Sequence, residues 1–251
     1  MTFSLTPITS NANNNEEQIF DNSNTKVIED SDDKMVTQIE VDDKIYEYVE
    51  LISSDIIETE VYEINGENRI LVDTITTKIV ADGDQLEITQ NDSGTDTDYF
   101  RDYIENNEPT SNNSEMLAAR SLSGFWKNSW VKMSYKKDYK KKVGYARFTR
   151  SEKKIKIPNK YFDNYAKQVD SLVSIQQDAL LSIGPIGTIE SIVWFLSQKK
   201  LTPAVVKKAI KKFGGKIPGI GTIYSLINYV YTYDKAVKAF NRIPGKAYWY
   251  K

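Results

Sequence analysis

Residues 35–51 have the sequence MVTQIEVDDKIYEYVEL, and this stretch decides the fold of the N-terminal half. Apolar and polar residues alternate on both sides of Asp42 and Asp43, which is the pattern of two antiparallel strands joined by a tight turn. The alternation continues downstream in three further runs that are rich in Ile, Val and Thr: residues 56–64, 69–80 and 85–90. The turns between these runs contain Asn-Gly and Asp-Gly pairs, which favour hairpins. The sequence therefore predicts an acidic five-stranded antiparallel β-meander over residues 35–90.

The run over residues 69–80 also indicates which of its side chains are buried. Leu71, Ile75 and Ile79 alternate with Val, Thr and Lys residues. Successive side chains of a strand point to opposite faces of the sheet, so we expect these three side chains to share the buried face.

Upstream of the meander, residues 13–34 consist largely of Asn, Asp, Glu and Ser and have little to bury, so we expect them to be disordered. The first twelve residues are similar to the end of a secretory signal. Ser10 and Ala12 supply small residues at the −3 and −1 positions of a cleavage site, although the sequence has no basic segment before them. We therefore expect a secreted protein cleaved after Ala12; the alternative is the disordered N-terminus of a cytosolic protein.

The two halves of the chain carry opposite charges. Residues 1–120 contain 28 acidic and 7 basic residues, whereas residues 121–251 contain 7 acidic and 26 basic residues, so the net charge of −2 conceals a bipolar chain. Opposite charges attract across a low-salt solution and are screened as salt rises. We therefore expect the acidic half to dock on the basic half.

Residues 91–117 are polar and acidic and are predicted to form a linker around a short helix at 99–104. The composition then inverts. Between residues 124 and 157, aromatic residues such as Trp126 and Tyr145 are interleaved with Lys and Arg, and the alternation over 143–150 predicts a short basic hairpin. Such a segment fits an anionic cell-wall polymer or a nucleic acid. The acidic half argues against nucleic acid as a partner, because it would repel the same polyanion.

From Pro158 onward apolar residues recur at three- and four-residue steps, which predicts a bundle of about four helices. We expect the first helix to end near Gly184, the second to cover 188–199 and the fourth to cover 222–240. The third should begin at Thr202-Pro203, a capping residue followed by a proline at the first helical position. The fold class is therefore α+β, with residues 118–251 forming a basic hairpin and helical domain.

An internal repeat runs through these helices. Residues 183–193 align without a gap on residues 217–227, and in both copies glycine and proline precede a threonine that could cap the following helix. We single out the four glycines of these helix-entry turns: Gly184, Gly187, Gly219 and Gly221. They match no phosphate-binding fingerprint, so a structural role is favoured.

The third predicted helix is short, basic and amphipathic, and helices of this kind bind membrane interfaces. We predict that its polar face contacts the target, together with aromatic residues of the neighbouring helix and the tail: Lys207, Lys208, Lys211, Lys212, Trp194, Phe195 and Trp249. The alternative is a surface helix of the bundle whose lysines face water or the acidic half.

The chain contains neither histidine nor cysteine, which excludes triad catalysis through histidine, disulfides and imidazole or thiolate metal sites. Carboxylate pairs such as Glu58 with Glu60 could serve glycoside hydrolysis, but a solvated acidic face is the simpler interpretation. We therefore expect a protein that is not an enzyme, with no catalytic residue, no metal and no cofactor.

The signal-like start, the acidic strands with KIYEY at 44–48 and VYEI at 61–64, and the basic, glycine-containing helical half together resemble the large unmodified geobacillin-type bacteriocins of bacilli. The resemblance covers most of the chain, is one of layout, and carries over no site residue. It implies a secreted protein that kills related Gram-positive bacteria and leaves the mechanism open. From the charge of the chain we expect the basic helical half to engage the anionic cell surface or membrane, with a possible receptor or immunity protein unknown. The alternative is a secreted, non-lethal binding protein for an anionic wall polymer or a protein partner.

Overall fold

The computed structural model describes residues 25–82, 85–94, 97–106, 124–178 and 180–249. The predicted signal remnant with its cleavage after Ala12 lies outside these ranges, as do residues 13–24 of the segment expected to be disordered. Residues 107–117 of the predicted linker and residues 118–123 at the start of the predicted helical domain also lie outside them. Within them, six antiparallel strands follow one another in chain order in the first sheet. These strands are β1 (Thr25–Asp30), β2 (Lys34–Val41), β3 (Lys44–Ile52), β4 (Ile56–Asn65), β5 (Asn68–Asp82) and β6 (Gln85–Asp92).

The antiparallel meander is confirmed, with one strand more than expected. β1 lies inside the segment that we expected to be disordered, where it pairs with β2 from Thr25 to Asp30. Most of its side chains are exposed or half-buried, so backbone pairing at the sheet edge orders it rather than apolar burial. Composition alone does not reveal a strand of this kind, because its side chains resemble those of a solvated loop.

A β-bulge changes the faces of β5. Val61 of β4 lies opposite Asp73, while the next residue, Tyr62, lies opposite Leu71, so Val72 is the extra residue. Ile75 and Ile79 are buried as predicted, but Leu71 is exposed because the bulge inverts the alternation before it. In a regular alternation an apolar side chain would occupy this buried position. Asp73 occupies it instead, and its carboxylate is buried.

The predicted basic hairpin forms the centre of a second antiparallel sheet. Its strands are β7 (Lys127–Asn128), β8 (Met133–Asp138), β9 (Val143–Phe148), β10 (Ser151–Lys156) and β11 (Tyr248–Trp249). The spatial order is β11-β10-β9-β8-β7, so the C-terminal segment returns to pair with β10.

Five α-helices accompany the sheets in the described part of the chain, and their number and placement confirm the α+β fold class. They are α1 (Tyr99–Asn106), α2 (Lys160–Asp178), α3 (Ile186–Leu196), α4 (Pro203–Lys212) and α5 (Ile220–Arg242), with a short 3₁₀ turn at Leu180–Ser182. Every residue of α5 from Ile223 to Asp234 is buried, which makes α5 the central element of the helical half.

The predicted capping threonine is confirmed for one helix, α4, and is wrong for two, α3 and α5. Thr202 caps α4 as predicted, and its hydroxyl accepts a hydrogen bond from the Val205 amide. Thr188 and Thr222 do not cap α3 and α5, because the cap positions are Pro185 and Gly219 and neither makes a side-chain capping bond. Both helices begin two residues earlier than the threonine pattern predicts.

The buried side chains of both sheets and all five helices form a single hydrophobic cluster. The predicted helix within the linker is confirmed as α1, and it carries three completely buried side chains into this cluster: Phe100, Tyr103 and Ile104. The Phe100 ring stacks on Tyr224 of α5 with centroids 5.7 Å apart and meets Tyr48 of β3 edge-on at 5.1 Å. α1 therefore joins the acidic sheet to the basic helices through apolar contacts.

Candidate functional site

The exposed side of the second sheet carries aligned basic and aromatic side chains. Lys136, Tyr145 and Lys154 lie directly opposite one another across β8, β9 and β10, so their side chains project from the same face. Arg147 lies two residues along from Tyr145 and shares that face. Trp126 packs against Tyr145 with ring centroids 6.4 Å apart. We call Trp126, Lys136, Tyr145, Arg147 and Lys154 the basic-aromatic face.

Each ring of the basic-aromatic face is covered by a cation. The Arg147 guanidinium lies 3.7 Å from the centre of the Trp126 ring, and the Lys136 ammonium lies 5.4 Å from the same ring. Lys136 and Lys154 lie 4.9 Å and 5.8 Å from the Tyr145 ring. Cation–π contacts at exposed sites contribute about 0.5–1 kcal/mol each. Arg147 also forms an ion pair with Glu152, which lies opposite it on β10, at 2.7 Å. Lys136 and Lys154 are therefore the cations of this face that form no ion pair among the described residues.

The opposite side of the second sheet explains why this face is presented to solvent. Gly144 and Ala146 alternate with Tyr145 and Arg147 on β9, and both are buried. A Cβ atom at Gly144 would lie 2.6 Å from the Phe162 ring of α2, so only glycine allows the sheet to approach the helix this closely. The sheet therefore has one face fixed to the core and one face directed away from it.

The four predicted lysines of α4 lie together along one groove. Lys207, Lys208, Lys211 and Lys212 line a depression of about 340 Å³ between α4 and the turns that join β1 to β2 and β3 to β4. Three of them have a partner in the acidic sheet. Lys207 forms an ion pair with Asp30, Lys208 donates to the Ser53 carbonyl, and Lys212 lies 3.0 Å from the Asp55 carboxylate.

These contacts match the alternative interpretation of α4, in which its lysines face the acidic half. Lys211 is exposed and forms no ion pair among the described residues. Because exposed ion pairs are weak and are screened by salt, a competing polyanion could replace Asp30 or Asp55. Contact between these lysines and a target stays a prediction.

The three aromatic residues predicted to contact the target lie in three different places. Trp194 on α3 is partly exposed, and the Lys132 ammonium lies 4.6 Å from its ring. Phe195 is half-buried against Phe213 at the end of α4, with centroids 5.3 Å apart. Trp249 on β11 is 82% exposed. Contact between these aromatic residues and a target stays a prediction.

The glycine-containing turns bring the two copies of the internal repeat into contact. The Lys216 amide, just before the second copy, donates to the Ile183 carbonyl at the start of the first copy over 2.9 Å. A Cβ atom at Gly187, Gly219 or Gly221 would meet no heavy atom within 4 Å, and one at Gly184 would meet only Thr188, at 3.9 Å. The space around these four glycines does not itself require glycine, so their structural role stays a prediction.

A buried carboxylate of the acidic sheet lies at the start of α4. Glu50 on β3 accepts hydrogen bonds from the Thr202 hydroxyl and from the Ala204 amide, the latter over 3.4 Å. Its side chain has no exposed surface. Burial raises the pKa of Glu50 to about 7, although the Thr202 and Ala204 hydrogen bonds and the charge of Lys207 act in the opposite direction. The N-terminal end of α4 carries the partial positive charge of the helix dipole, which stabilises the charged form of Glu50.

A second polar joint connects the acidic sheet to the segment before α4. The Lys200 ammonium lies 3.2 Å from the buried Asp73 carboxylate and also pairs with Asp92. Burial lowers the pKa of Lys200, but the hydrogen bond to Asp92 and the charge of Asp73 outweigh this effect and raise it. Gln90 fixes the same segment with two hydrogen bonds, from its side-chain amide to the Lys200 carbonyl and from the Lys200 amide to its side-chain oxygen.

The carboxylates considered for hydrolysis are placed on an open surface. Glu58 and Glu60 are exposed neighbours on one face of β4, and Glu60 accepts a hydrogen bond from the Tyr62 hydroxyl. Among the described residues, no group of three acidic side chains is arranged to hold a metal ion. This arrangement fits the solvated acidic face that the sequence favours.

Comparisons with known proteins give no relative from which a site could be transferred. No family model, no curated protein and no solved structure matches the chain. Among the described helices, none combines the length and the hydropathy that a membrane span requires. The functional argument therefore depends on the surface chemistry of the described residues.

Sequence reasoning identified the basic and aromatic content of residues 124–157 but did not place these residues among the predicted site residues. The signal was present in the alternation over 143–150, which separates Tyr145 and Arg147 from Gly144 and Ala146. What the sequence could not give was the alignment of β8 and β10 beside β9, because strand register depends on tertiary pairing.

Proposed function

We propose that the protein binds an anionic polymer of the bacterial cell surface, such as a teichoic acid, through the basic-aromatic face. The observation that carries the proposal is the row Lys136, Tyr145 and Lys154 across three strands, with Arg147 over Trp126 beside it. The row places one lysine on β8 and one on β10, on either side of Tyr145. β8 and β10 are separated by two strand spacings of about 4.8 Å each, so a polymer with repeated anionic groups can contact both lysines.

The stacking geometry favours phosphate recognition over base recognition. Proteins that bind single-stranded nucleic acid offer free ring faces on which bases stack. In this face Arg147 and Lys136 lie against the Trp126 ring, and Lys136 and Lys154 lie against the Tyr145 ring. A wall polymer, which binds through its phosphates alone, fits this arrangement better.

The direct test is sedimentation or calorimetric titration of the full chain with purified wall teichoic acid, single-stranded DNA and a neutral polysaccharide. We expect binding to teichoic acid that weakens steeply as salt rises, because each phosphate contact releases a counterion. Replacing Lys136→Glu together with Lys154→Glu should remove this binding. The matched control is Lys167→Glu with Lys238→Glu, which changes the net charge equally at exposed helix positions. Equal loss in both variants, or a preference for DNA, would contradict the proposal.

A second candidate function, killing of related Gram-positive bacteria, is supported by the way the acidic sheet covers α4. The lysines that could engage a target are paired with Asp30 and Asp55, as expected for an acidic half that shields or positions a basic half. The test is growth inhibition on lawns of several Gram-positive species, with heat-denatured protein as control. Clearing by native protein on a narrow subset would establish killing, whereas no clearing on any bacillus would leave polymer binding as the whole function.

A variant with all four α4 lysines replaced by Gln separates the two functions. We choose Gln because Glu at positions 207 and 212 would repel Asp30 and Asp55 and could undock the sheet. If α4 contacts the target cell, this variant should lose killing while it still binds teichoic acid through the basic-aromatic face.

A further inference from the structure

The groove beside α4 differs from the flat basic-aromatic face because it is concave and has a defined floor. Its walls are the α4 lysines on one side and two turns of the first sheet, Ser31–Asp32 and Ser53–Ser54, on the other. Ile217, from the connection between α4 and α5, closes one side. A volume of about 340 Å³ lies at the lower end of the range for small-molecule sites.

Among the described residues, the four lysines of this groove outnumber the carboxylates that line it or pair with it, which are those of Asp30, Asp32 and Asp55. Lys207 and Lys212 form ion pairs with Asp30 and Asp55. Lys208 donates to a backbone carbonyl, and neither Lys208 nor Lys211 forms an ion pair with a described carboxylate. Burial lowers the pKa of Lys208; the charge of Asp55 opposes this shift, whereas the charges of Lys212 and Lys211 add to it. A bound anion would relieve this repulsion.

The remaining lining residues indicate what the anion is attached to. Ile52, Ala204 and Ile217 give the groove an apolar part beside the lysines, and Ser54 adds an exposed residue with a hydroxyl at the rim. Lysine ammonium groups bind phosphate as point charges from several directions and need no planar partner. A phosphate ester with a short aliphatic portion therefore matches both the charge and the apolar surface.

We propose that this groove is a second binding site, which takes a glycerophosphate group, with its phosphate between Lys208 and Lys211 and its carbon chain against Ala204 and Ile217. The site uses different residues from the basic-aromatic face, so it goes beyond the proposed function and can hold or fail independently of it. A glycerophosphate group occurs both as a soluble ester and as the headgroup of phosphatidylglycerol, and the two sources present the same chemistry to the lysines.

The test is isothermal titration calorimetry of the full chain with glycerol 3-phosphate, inorganic phosphate and glycerol, and flotation with phosphatidylglycerol vesicles. We expect saturable one-to-one binding of glycerol 3-phosphate, weaker binding of inorganic phosphate and no binding of glycerol. Replacing Lys208→Gln with Lys211→Gln should weaken binding about tenfold or more. Binding of the soluble ester identifies a free phosphate ester as the ligand, whereas lysine-dependent binding of vesicles alone identifies a lipid headgroup.

Two controls separate this site from other effects. Lys167→Gln with Lys238→Gln should leave binding unchanged, and so should Lys136→Glu with Lys154→Glu, which removes the basic-aromatic face. If the groove variant does not fold, Ile217→Asp places a carboxylate in the groove from an exposed position and should also abolish binding. Unaltered binding in the groove variants or equal loss in the controls would overturn the proposal. So would the absence of both saturable binding of glycerol 3-phosphate and lysine-dependent binding of phosphatidylglycerol vesicles.

Discussion

Glu50 of β3 accepts a hydrogen bond from the hydroxyl of Thr202, the residue that caps α4, and both side chains are buried. This bond joins two residues that are 152 positions apart in the chain. It links the strand of highest tyrosine content in the acidic sheet to the helix that carries the predicted target lysines. The joint between the two oppositely charged halves is therefore buried and hydrogen-bonded, in addition to its surface ion pairs.

The first prediction concerns Glu50 and pH. Its pKa is raised from 4.5 to about 7 by burial, so the folded state holds a proton that the unfolded state has already lost. The contribution of this group to stability is complete below pH 4.5 and is lost as pH rises through 7. In the natural protein we expect the free energy of unfolding to fall by on the order of 2 kcal/mol between pH 5 and pH 8. In Glu50→Gln we expect this fall to be absent.

Urea unfolding of the natural protein and of Glu50→Gln at both pH values measures this difference. Glu58→Gln, at an exposed position of β4, is the matched control and should leave the pH profile as it is. Parallel profiles for the natural protein and Glu50→Gln would show that Glu50 does not titrate in this range.

The second prediction concerns the ion pairs of Lys200. Lys200→Met leaves the buried Asp73 beside Asp92 without a cation, and an uncompensated buried charge costs about 3 kcal/mol. Adding Asp73→Asn to Lys200→Met should restore part of this loss, because the second change removes the unpaired charge. Lys199→Met, with no described ion pair, should have little effect. Chemical denaturation of the natural protein, Lys200→Met, Asp73→Asn and the double variant gives the coupling energy, and strictly additive effects would argue against a direct pair.

The third prediction concerns the approach of the second sheet to α2. Gly144→Ala should lower the free energy of unfolding by about 1–3 kcal/mol, because its Cβ would lie 2.6 Å from the Phe162 ring. Gly187→Ala, in the first turn of α3, meets no heavy atom within 4 Å and should be neutral or slightly stabilising. Thermal melts of the two variants distinguish them. A neutral Gly144→Ala would mean that the sheet and α2 can separate without loss.

The fourth prediction concerns the attraction between the halves. Residues 1–115 and 116–251, expressed separately, should associate, and the complex should weaken with salt but persist at about 1 M salt, where charges are screened beyond about 3 Å. It persists because the Phe100 ring packs on Tyr224 across the divide. Phe100→Asp in the first fragment should prevent association at any salt concentration. Complete dissociation of the natural fragments by salt would show that the ion pairs alone hold the halves together.

The strand pattern could be predicted where side chains alternate and could not where backbone geometry decides. Tyr46 and Tyr48 are buried on alternate positions of β3, and the same period places Glu50 on the buried face, so the sequence held a signal for this residue. The bulge at Val72 had no such signal. It exposes Leu71 and buries Asp73, and only the partner strand reveals it. The edge strand β1 was missed because pairing with β2, rather than composition, orders it.

The residues of the candidate sites could likewise be predicted where a local pattern places them, but not where contacts between distant parts of the chain do. Helical spacing alone predicts that the four lysines of α4 form one row. Their partners Asp30 and Asp55 are 177 and 157 positions away from them, beyond any local pattern. Thr188 and Thr222 illustrate the opposite error, since a residue type that favours caps lies inside the first helical turn while Pro185 and Gly219 hold the cap positions.

β1 also decides whether copies of this chain can join through their first sheets. It forms the outer strand of that sheet, a register shift interrupts its pairing between Val27 and Glu29, and it carries the charged residues Lys26, Glu29 and Asp30. A bulged and charged outer strand is a poor template for a strand from another molecule. Loss of residues 25–30 would instead present β2, which pairs regularly along all eight of its residues, as the open edge. The short acidic strand β1 therefore protects its own edge of the first sheet against strand-to-strand polymerisation; the opposite edge is β6.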